Sequence, residues 1–269
     1  MLVMILDSHF HSLTMAQKNV QFSLLGVIGI DIGTVPYDIL KRKPLIGNHP
    51  LVYSSQGAGP WCLDSGEAGE ILKEIEDSIE KYGGSFLGEV GLDYHWKYGT
   101  KETQRKLFES QIGIASRYSL PVIIHSRDAD EDMIDILSSN DFPSSGIMHS
   151  FSSSPKLMEK ALEKGLYISF SGNVTYKGND KIRESAKLCP PERILYETDS
   201  PYLAPIPVRG NPSTPECTEY TSSFLASLRC EEVDAFRKKA IGNFLTLLSH
   251  SKGGEGYIHP SGDVQRAKV

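Results

Sequence analysis

A chain of 269 residues with 39% hydrophobic and 23% charged residues has enough apolar mass for one large core, which excludes a disordered chain. Its formal net charge of −6 excludes a uniformly basic surface; a nucleic-acid substrate stays open, because a bound cation can supply local positive charge. Cys62, Cys189, Cys217 and Cys230 form no C-x-x-C pair and read as free thiols of a reducing, cytoplasmic setting. The opening MLVMIL is too short for a signal peptide or a membrane span and reads as a first strand, and no other run approaches about 20 apolar residues.

In chain order, apolar strand candidates occupy 2–9, 24–33, 51–58, 85–93, 121–126, 146–152, 166–172 and 193–199. Several are near-continuous hydrophobic runs, as strands buried on both faces require. Only about a dozen residues join the first two, which predicts a reduced first helix. Between the third and fourth, Ile71, Leu72, Ile75, Ile79 and Tyr82 recur at helical spacing, and Gly83 can stop that helix. Leu107, Phe108, Ile112 and Ala115 repeat the pattern before the fifth strand. Ser154-Pro155 is an N-cap with a first-turn proline, opening a helix that buries Leu157, Met158, Ala161 and Leu162. Thr214-Pro215 opens another, with Tyr220, Phe224 and Leu228 as its apolar positions, and Val233, Phe236, Ala240 and Phe244 mark the last. Eight strands with interleaved helices predict an α/β fold, a single-domain (β/α)8 TIM barrel over residues 1–248. An open doubly wound sheet is the alternative, but neither G-x-G-x-x-G nor G-x-x-x-x-G-K-[ST] occurs. The polar, Gly-rich residues 249–269 read as a flexible tail.

The active site of such a barrel lies at the carboxyl ends of its strands. The first strand there delivers His9 and His11, the fourth Glu89 and Asp93, the fifth His125, the sixth His149, and the eighth Glu197 and Asp199. Each piece alone is weak. A lone H-x-H is usually coincidence, and a histidine ending an apolar strand is usually a hydrogen-bonded, half-buried side chain. Together, four imidazoles and two carboxylates on one rim would be costly to bury without cations. Six donors exceed one tetrahedral site, whereas two ions about 3.5–4 Å apart and bridged by a carboxylate would use all of them. Imidazole suits Zn²⁺ or Mn²⁺, and the carboxylates suit harder ions such as Mg²⁺. Glu89, alone in an apolar strand, finds its compensation in those ions. Gly88 and Gly91 beside it leave room for ions and substrate, or for packing.

The segments DSHFH (7–11), GEVGLDYH (88–95), PVIIHSRDAD (121–130), HSFSSS (149–154) and ETDSPYL (197–203) resemble the TatD-type metal-dependent deoxyribonucleases, of the metal-dependent hydrolase (amidohydrolase) superfamily of TIM barrels. The resemblance implies that His9, His11 and Asp199 hold one divalent ion, that His125 and His149 hold a second, and that Glu89 reaches both. It implies DNA as partner, as single strands or 3′ ends, and cleavage of phosphodiester bonds with Mg²⁺, Mn²⁺ or Zn²⁺. Arg209-Gly210-Asn211 with Pro212 is similar to the family's segment after the eighth strand, and Asn243-Phe244 to its closing helix. One departure follows the third strand: Gly57-Ala58-Gly59-Pro60-Trp61 stands where the family has Gly-x-His-Pro.

For the chemistry, Glu89 and Asp199 are the candidate catalytic carboxylates, with Asp199 as ligand and general base together. Arg127, Asp93, Tyr94 and Arg209 are the candidate substrate contacts. Arg127 suits a phosphate, unless it pairs with Asp128, Asp130 or a glutamate behind the metal ligands. Asp93 also fits a carboxylate that orients a ligating histidine. Tyr94 and Trp61 suit a base stack or plain packing. A deacylase or amidase acting on a C–N bond is the rival chemistry; against it, Glu89 stands where many such enzymes place a lysine. A metal-binding barrel without turnover is the rival from another class. No feature fixes an oligomeric state.

Overall fold

The apolar runs pair side by side as one eight-stranded parallel sheet in the order β1 to β8. The computed structural model describes residues 4–139 and 146–249. The strands are β1 (Ile5–Phe10), β2 (Val27–Asp31), β3 (Val52–Gln56), β4 (Phe86–Asp93), β5 (Val122–Arg127), β6 (Gly146–Met148), β7 (Tyr167–Phe170) and β8 (Ile194–Tyr196). The helices are α1 (Ser12–Gln17), α2 (Ile39–Ile46), α3 (Ala68–Tyr82), α4 (Lys101–Tyr118), α5 (Asp130–Ser139), α6 (Pro155–Glu163), α7 (Asp180–Leu188), α8 (Thr218–Leu228) and α9 (Val233–Ser249). They alternate with the strands as the single-domain (β/α)8 reading expects, and α9 carries the described chain to Ser249. Of the predicted tail, residues 250–269 lie outside the described residues.

Several strands are shorter than their apolar runs, and the backbone shows why. Gly26 (φ 77°), Ser150 (φ 44°) and Asp199 (φ 58°) turn left-handed at the edges of β2, β6 and β8, which takes the chain out of the ladder. His149 and Asp199 therefore stand on turns just past β6 and β8. Among the described residues no ladder joins β8 to β1. The ring closes at its carboxyl rim, where the Asp199 N–H donates to the His9 carbonyl (2.9 Å) and the His11 N–H to the Ser200 carbonyl (3.0 Å). Beneath this seam the buried Asp7 carboxyl accepts from the Thr198 N–H (2.9 Å) and hydroxyl (2.6 Å).

The helices follow their spacing. α3 buries Ile71, Ile75 and Ile79, and the Ser154 side chain caps α6 by accepting from the Leu157 N–H. Thr214-Pro215 begins a 3-10 turn before α8, whose buried positions are Thr218, Thr221, Ser222, Leu225 and Ala226; Phe224 and Leu228 are half-buried and Tyr220 is exposed. The 3-10 turn shifts the helix phase, so the buried face differs from the predicted one. α1 is short, as expected. Beside it Arg42 of α2 is fully buried, with Nη1 2.8 Å from Asp31 Oδ2, Nε 2.8 Å from Asp38 Oδ1 and Nη2 donating to the Ser55 carbonyl. This network fixes the end of β2.

Candidate metal centre

Strand ends bring all six predicted donors to one place at the carboxyl rim. His9 and His11 lie two residues apart around the end of β1, so both rings turn to the barrel mouth. Their Nε2 atoms stand 3.2 Å apart, and His11 Nε2 is 3.1 Å and His9 Nε2 3.6 Å from Asp199 Oδ1. On the other side, His125 Nδ1 and His149 Nε2 are 3.2 Å apart, and each is 2.9 Å from Glu89 Oε1. Glu89 Oε2 faces the first set, 3.6 Å from His9 Nε2. Donors about 2.0–2.1 Å from one ion sit roughly 3.3 Å apart in a tetrahedral arrangement, so both sets have spacings a single small ion can span.

The protonation pattern points the same way. Burial alone would raise the Glu89 carboxyl, but the His149 charge and hydrogen bonds from His125, His149 and His9 hold it well below the usual carboxylate range. Burial would likewise raise Asp199, and the His11 hydrogen bond with the charges of His11, His9 and His149 lowers it. Burial and the charge on His149 push His9 down, toward the neutral form a metal requires. His149 goes the other way: burial would lower it, but Glu89 and Glu197 hold its proton well above the ordinary histidine value. That proton stands in for a cation.

A pH dependence follows. The His149 charge contributes stability to the metal-free protein that is fully present below about 6.5, the unfolded value, and is lost as pH rises through the higher folded value. An ion must displace the same proton, so metal affinity rises with pH up to the folded value and levels off above it, with protons released on binding. Between about 6.5 and that folded value the metal-free melting temperature falls. Chelator competition between pH 6 and 9 measures the affinity; a flat profile would contradict the linkage.

The two donor sets differ behind the ligands. His125 Nε2 is 3.1 Å from Asp93 Oδ2, and His149 Nδ1 is 3.2 Å from Glu197 Oε1. Carboxylates so placed fix ring orientation and raise ligand basicity. His9 Nδ1 and His11 Nδ1 are buried and have no such partner among the described residues.

The remaining predicted positions are spread around this centre. Asp93 is buried, and its other oxygen accepts the His95 and Trp96 N–H groups, so it braces His125 and is not placed to touch substrate. Tyr94 donates its hydroxyl to Asp132 (2.6 Å) and lines a cavity of about 730 Å³ beside Arg127. Arg127 is exposed, 5.8 Å from the Trp96 ring, and forms no ion pair with any of the alternatives among the described residues: Asp128 faces His95, and Asp130 accepts the Ser154 N–H. Arg209 lies outside the centre, over the Tyr176 ring at 4.0 Å. Gly59 has a local reason, since a Cβ there would fall 2.1 Å from Trp61 Cζ2. The Trp61 ring, 5.8 Å from that of His125, covers the position where the family has histidine. Gly91 (φ 142°) serves packing, with the His125 carbonyl 2.0 Å from where its Cβ would stand.

Glu197 is the rim residue to which sequence reasoning gave no role. It is fully buried, accepts the Ser150 N–H (2.8 Å) as well as facing His149, and lies 3.3 Å from the Ser8 hydroxyl. Its one signal was Glu197-x-Asp199, the same two-residue spacing as His9-x-His11.

The sequence profile of the TatD related DNase family matches residues 6–249. Among relatives, the uncharacterized metal-dependent hydrolase YabD of Bacillus subtilis is 35% identical over 205 residues, covering 76% of this chain and 78% of that protein. YcfH of Escherichia coli K12, also an uncharacterized metal-dependent hydrolase, is 32% identical over 234 residues, covering 87% and 85%. The crystal structure of YjjV, a TatD homologue from Escherichia coli K12, superposes with a TM-score of 0.79 at 28% identity, over 90% of this chain and 97% of that one. With a closed rim of metal-spaced donors and a family match from β1 to α9, the chain belongs to the TatD family of metal-dependent hydrolases.

Proposed function

We propose that this protein is a deoxyribonuclease that hydrolyses phosphodiester bonds of DNA, working on single strands or 3′ ends. The observation that carries the reading is the split of Glu89, one oxygen toward His125 and His149 and the other toward His9. Two divalent ions bound there would polarise a phosphoryl oxygen and lower the pKa of an attacking water. Asp199 is the general base: its side chain is 15% exposed against 5% for Glu89, so a water proton can reach it. Arg127, exposed and in no ion pair among the described residues, pairs with a substrate phosphate. Glu89 supplies a negative bridge where a C–N hydrolase of this superfamily would use a modified lysine, which favours the phosphodiester.

The test is cleavage of an end-labelled single-stranded DNA oligomer with Mg²⁺, Mn²⁺ or Zn²⁺. Shortened products appear with metal and vanish with chelator. Oligomers left intact by a metal-loaded sample that hydrolyses N-acyl amino acids would overturn the reading.

A further inference from the structure

Cavities of ligand size flank the metal centre on both sides, and they differ in charge. The one of about 730 Å³ beside β5 sets five carboxylates against three cations, Lys101, Arg127 and Lys181. The other, of about 410 Å³, lies beside the seam of β1 and β8 and is lined by Lys18 and Arg209 with no carboxylate. In a chain of net charge −6, a cavity lined by two cations with no carboxylate to offset them marks an anion site.

We propose that this smaller cavity is a phosphate subsite, holding a phosphate of a nucleic-acid strand next to the one at the metal centre. The inference rests on the phosphodiester reading above and gives that strand a direction across the rim. The cavity is joined to the centre residue by residue. Lys18 follows α1, which begins next to His11, and Pro201, Leu203 and Ala204 continue the turn from Asp199. The Tyr202 N–H donates to the Asp199 carbonyl (2.9 Å), and its ring lies 6.4 Å from that of His11. Lys18 Nζ sits 4.3 Å over that same ring, so one aromatic side chain separates the cation from a metal-site histidine.

The far wall is equally built. Arg209 stacks on Tyr176, whose hydroxyl donates to the Ala204 carbonyl (2.9 Å). The Ser213 N–H donates to the Pro201 carbonyl (3.0 Å) and the Ile206 N–H to Thr175 Oγ1 (3.0 Å), which ties the loop down. Both cations rest on aromatic faces, which narrows the motion of their long side chains before any ligand arrives. Among the described residues, neither has a carboxylate within ion-pair reach to compete for it. The Arg209 fork suits two phosphate oxygens, and Lys18 adds a point charge.

The experiment is a fluorescence anisotropy titration of labelled single-stranded DNA with the chelated, full-length protein at several salt concentrations. K18Q/R209Q weakens binding about tenfold at low salt and flattens the log–log salt dependence by about 0.7, the amount expected when one phosphate is no longer neutralised. K101Q/K181Q, in the acidic cavity, changes binding less than about twofold, because nearby carboxylates already offset those cations. Equal weakening in both double variants, or parent-like binding by K18Q/R209Q, overturns the subsite. So does complete displacement of the oligomer by millimolar inorganic phosphate, which would reassign the cavity to a free anion. K18Q alone, which leaves the Arg209–Tyr176 stack intact, keeps the test decisive if the double variant melts early. Binding is read without metal or turnover. A protein that grips the strand this way yet cleaves nothing keeps the subsite and loses the nuclease; one that cleaves while K18Q/R209Q binds like the parent does the reverse.

Discussion

Glu89→Gln lowers turnover by roughly 1,000-fold, the upper end of the cost of losing one preorganised charge stabiliser. It also removes at least one of the two ions proposed to sit between those donor sets. Gln keeps the volume and one acceptor oxygen but removes the negative charge that faces both donor sets. Its amide N–H groups would point at imidazole nitrogens that have to present lone pairs to a metal. Metal content by mass spectrometry, turnover on the labelled oligomer and the far-UV spectrum together check this, with the spectrum unchanged. Parent turnover with two ions retained would end the bridging role. In the metal-free variant His149 loses its largest compensating charge but keeps the Glu197 hydrogen bond and charge, so its proton is held less far above the ordinary value. The fall in melting temperature with rising pH therefore flattens.

Glu197→Ala lowers metal affinity by about 10–100-fold, the usual scale for removing a carboxylate behind a ligating histidine. It also leaves the Ser150 N–H without its acceptor, at about 1–3 kcal/mol of stability. Glu197→Gln separates the two effects: an oxygen remains for the Ser150 N–H, and the amide can donate to the Ser8 hydroxyl. Its metal affinity falls between parent and Ala, while its stability stays near the parent. Glu197 hydrogen-bonds His149 and, although within 4.8 Å of a His9 ring nitrogen, bonds none of His9, His11 and Asp199, so chelator titration loses the ion of the His125–His149 set first. Equal weakening of both ions would mean that Glu197 acts through general packing.

Much of this was legible from residue spacing. The strand ends placed His9, His11, Glu89, His125, His149 and Asp199 on one rim because a parallel barrel aligns all its carboxyl ends, and periodicity located α3 and α6. What escaped depended on backbone turns and long-range partners. Left-handed residues at Ser150 and Asp199 end β6 and β8 early, and hydrophobicity does not reveal a change in φ. The 3-10 turn before α8 rotates its buried face, which a helical count started at Pro215 cannot register. Glu197 and Asp93 were visible as acids, but their roles depend on which imidazole nitrogen each one faces. Arg42 gave no signal at all, because its partners Asp31 and Asp38 are paired by the fold and not by a motif.

The seam between first and last strands has a mechanical meaning. Its backbone bonds are few, and the first donor set straddles it, with His11 on one side and Asp199, 188 residues later, on the other. An ion held there closes a loop of most of the chain, and clips across long loops take the most freedom from the unfolded ensemble. The metal would then be a latch on the ring as well as a reagent within it. Chelation would lower the temperature at which the barrel opens from its two chain ends, and the same event would switch off chemistry.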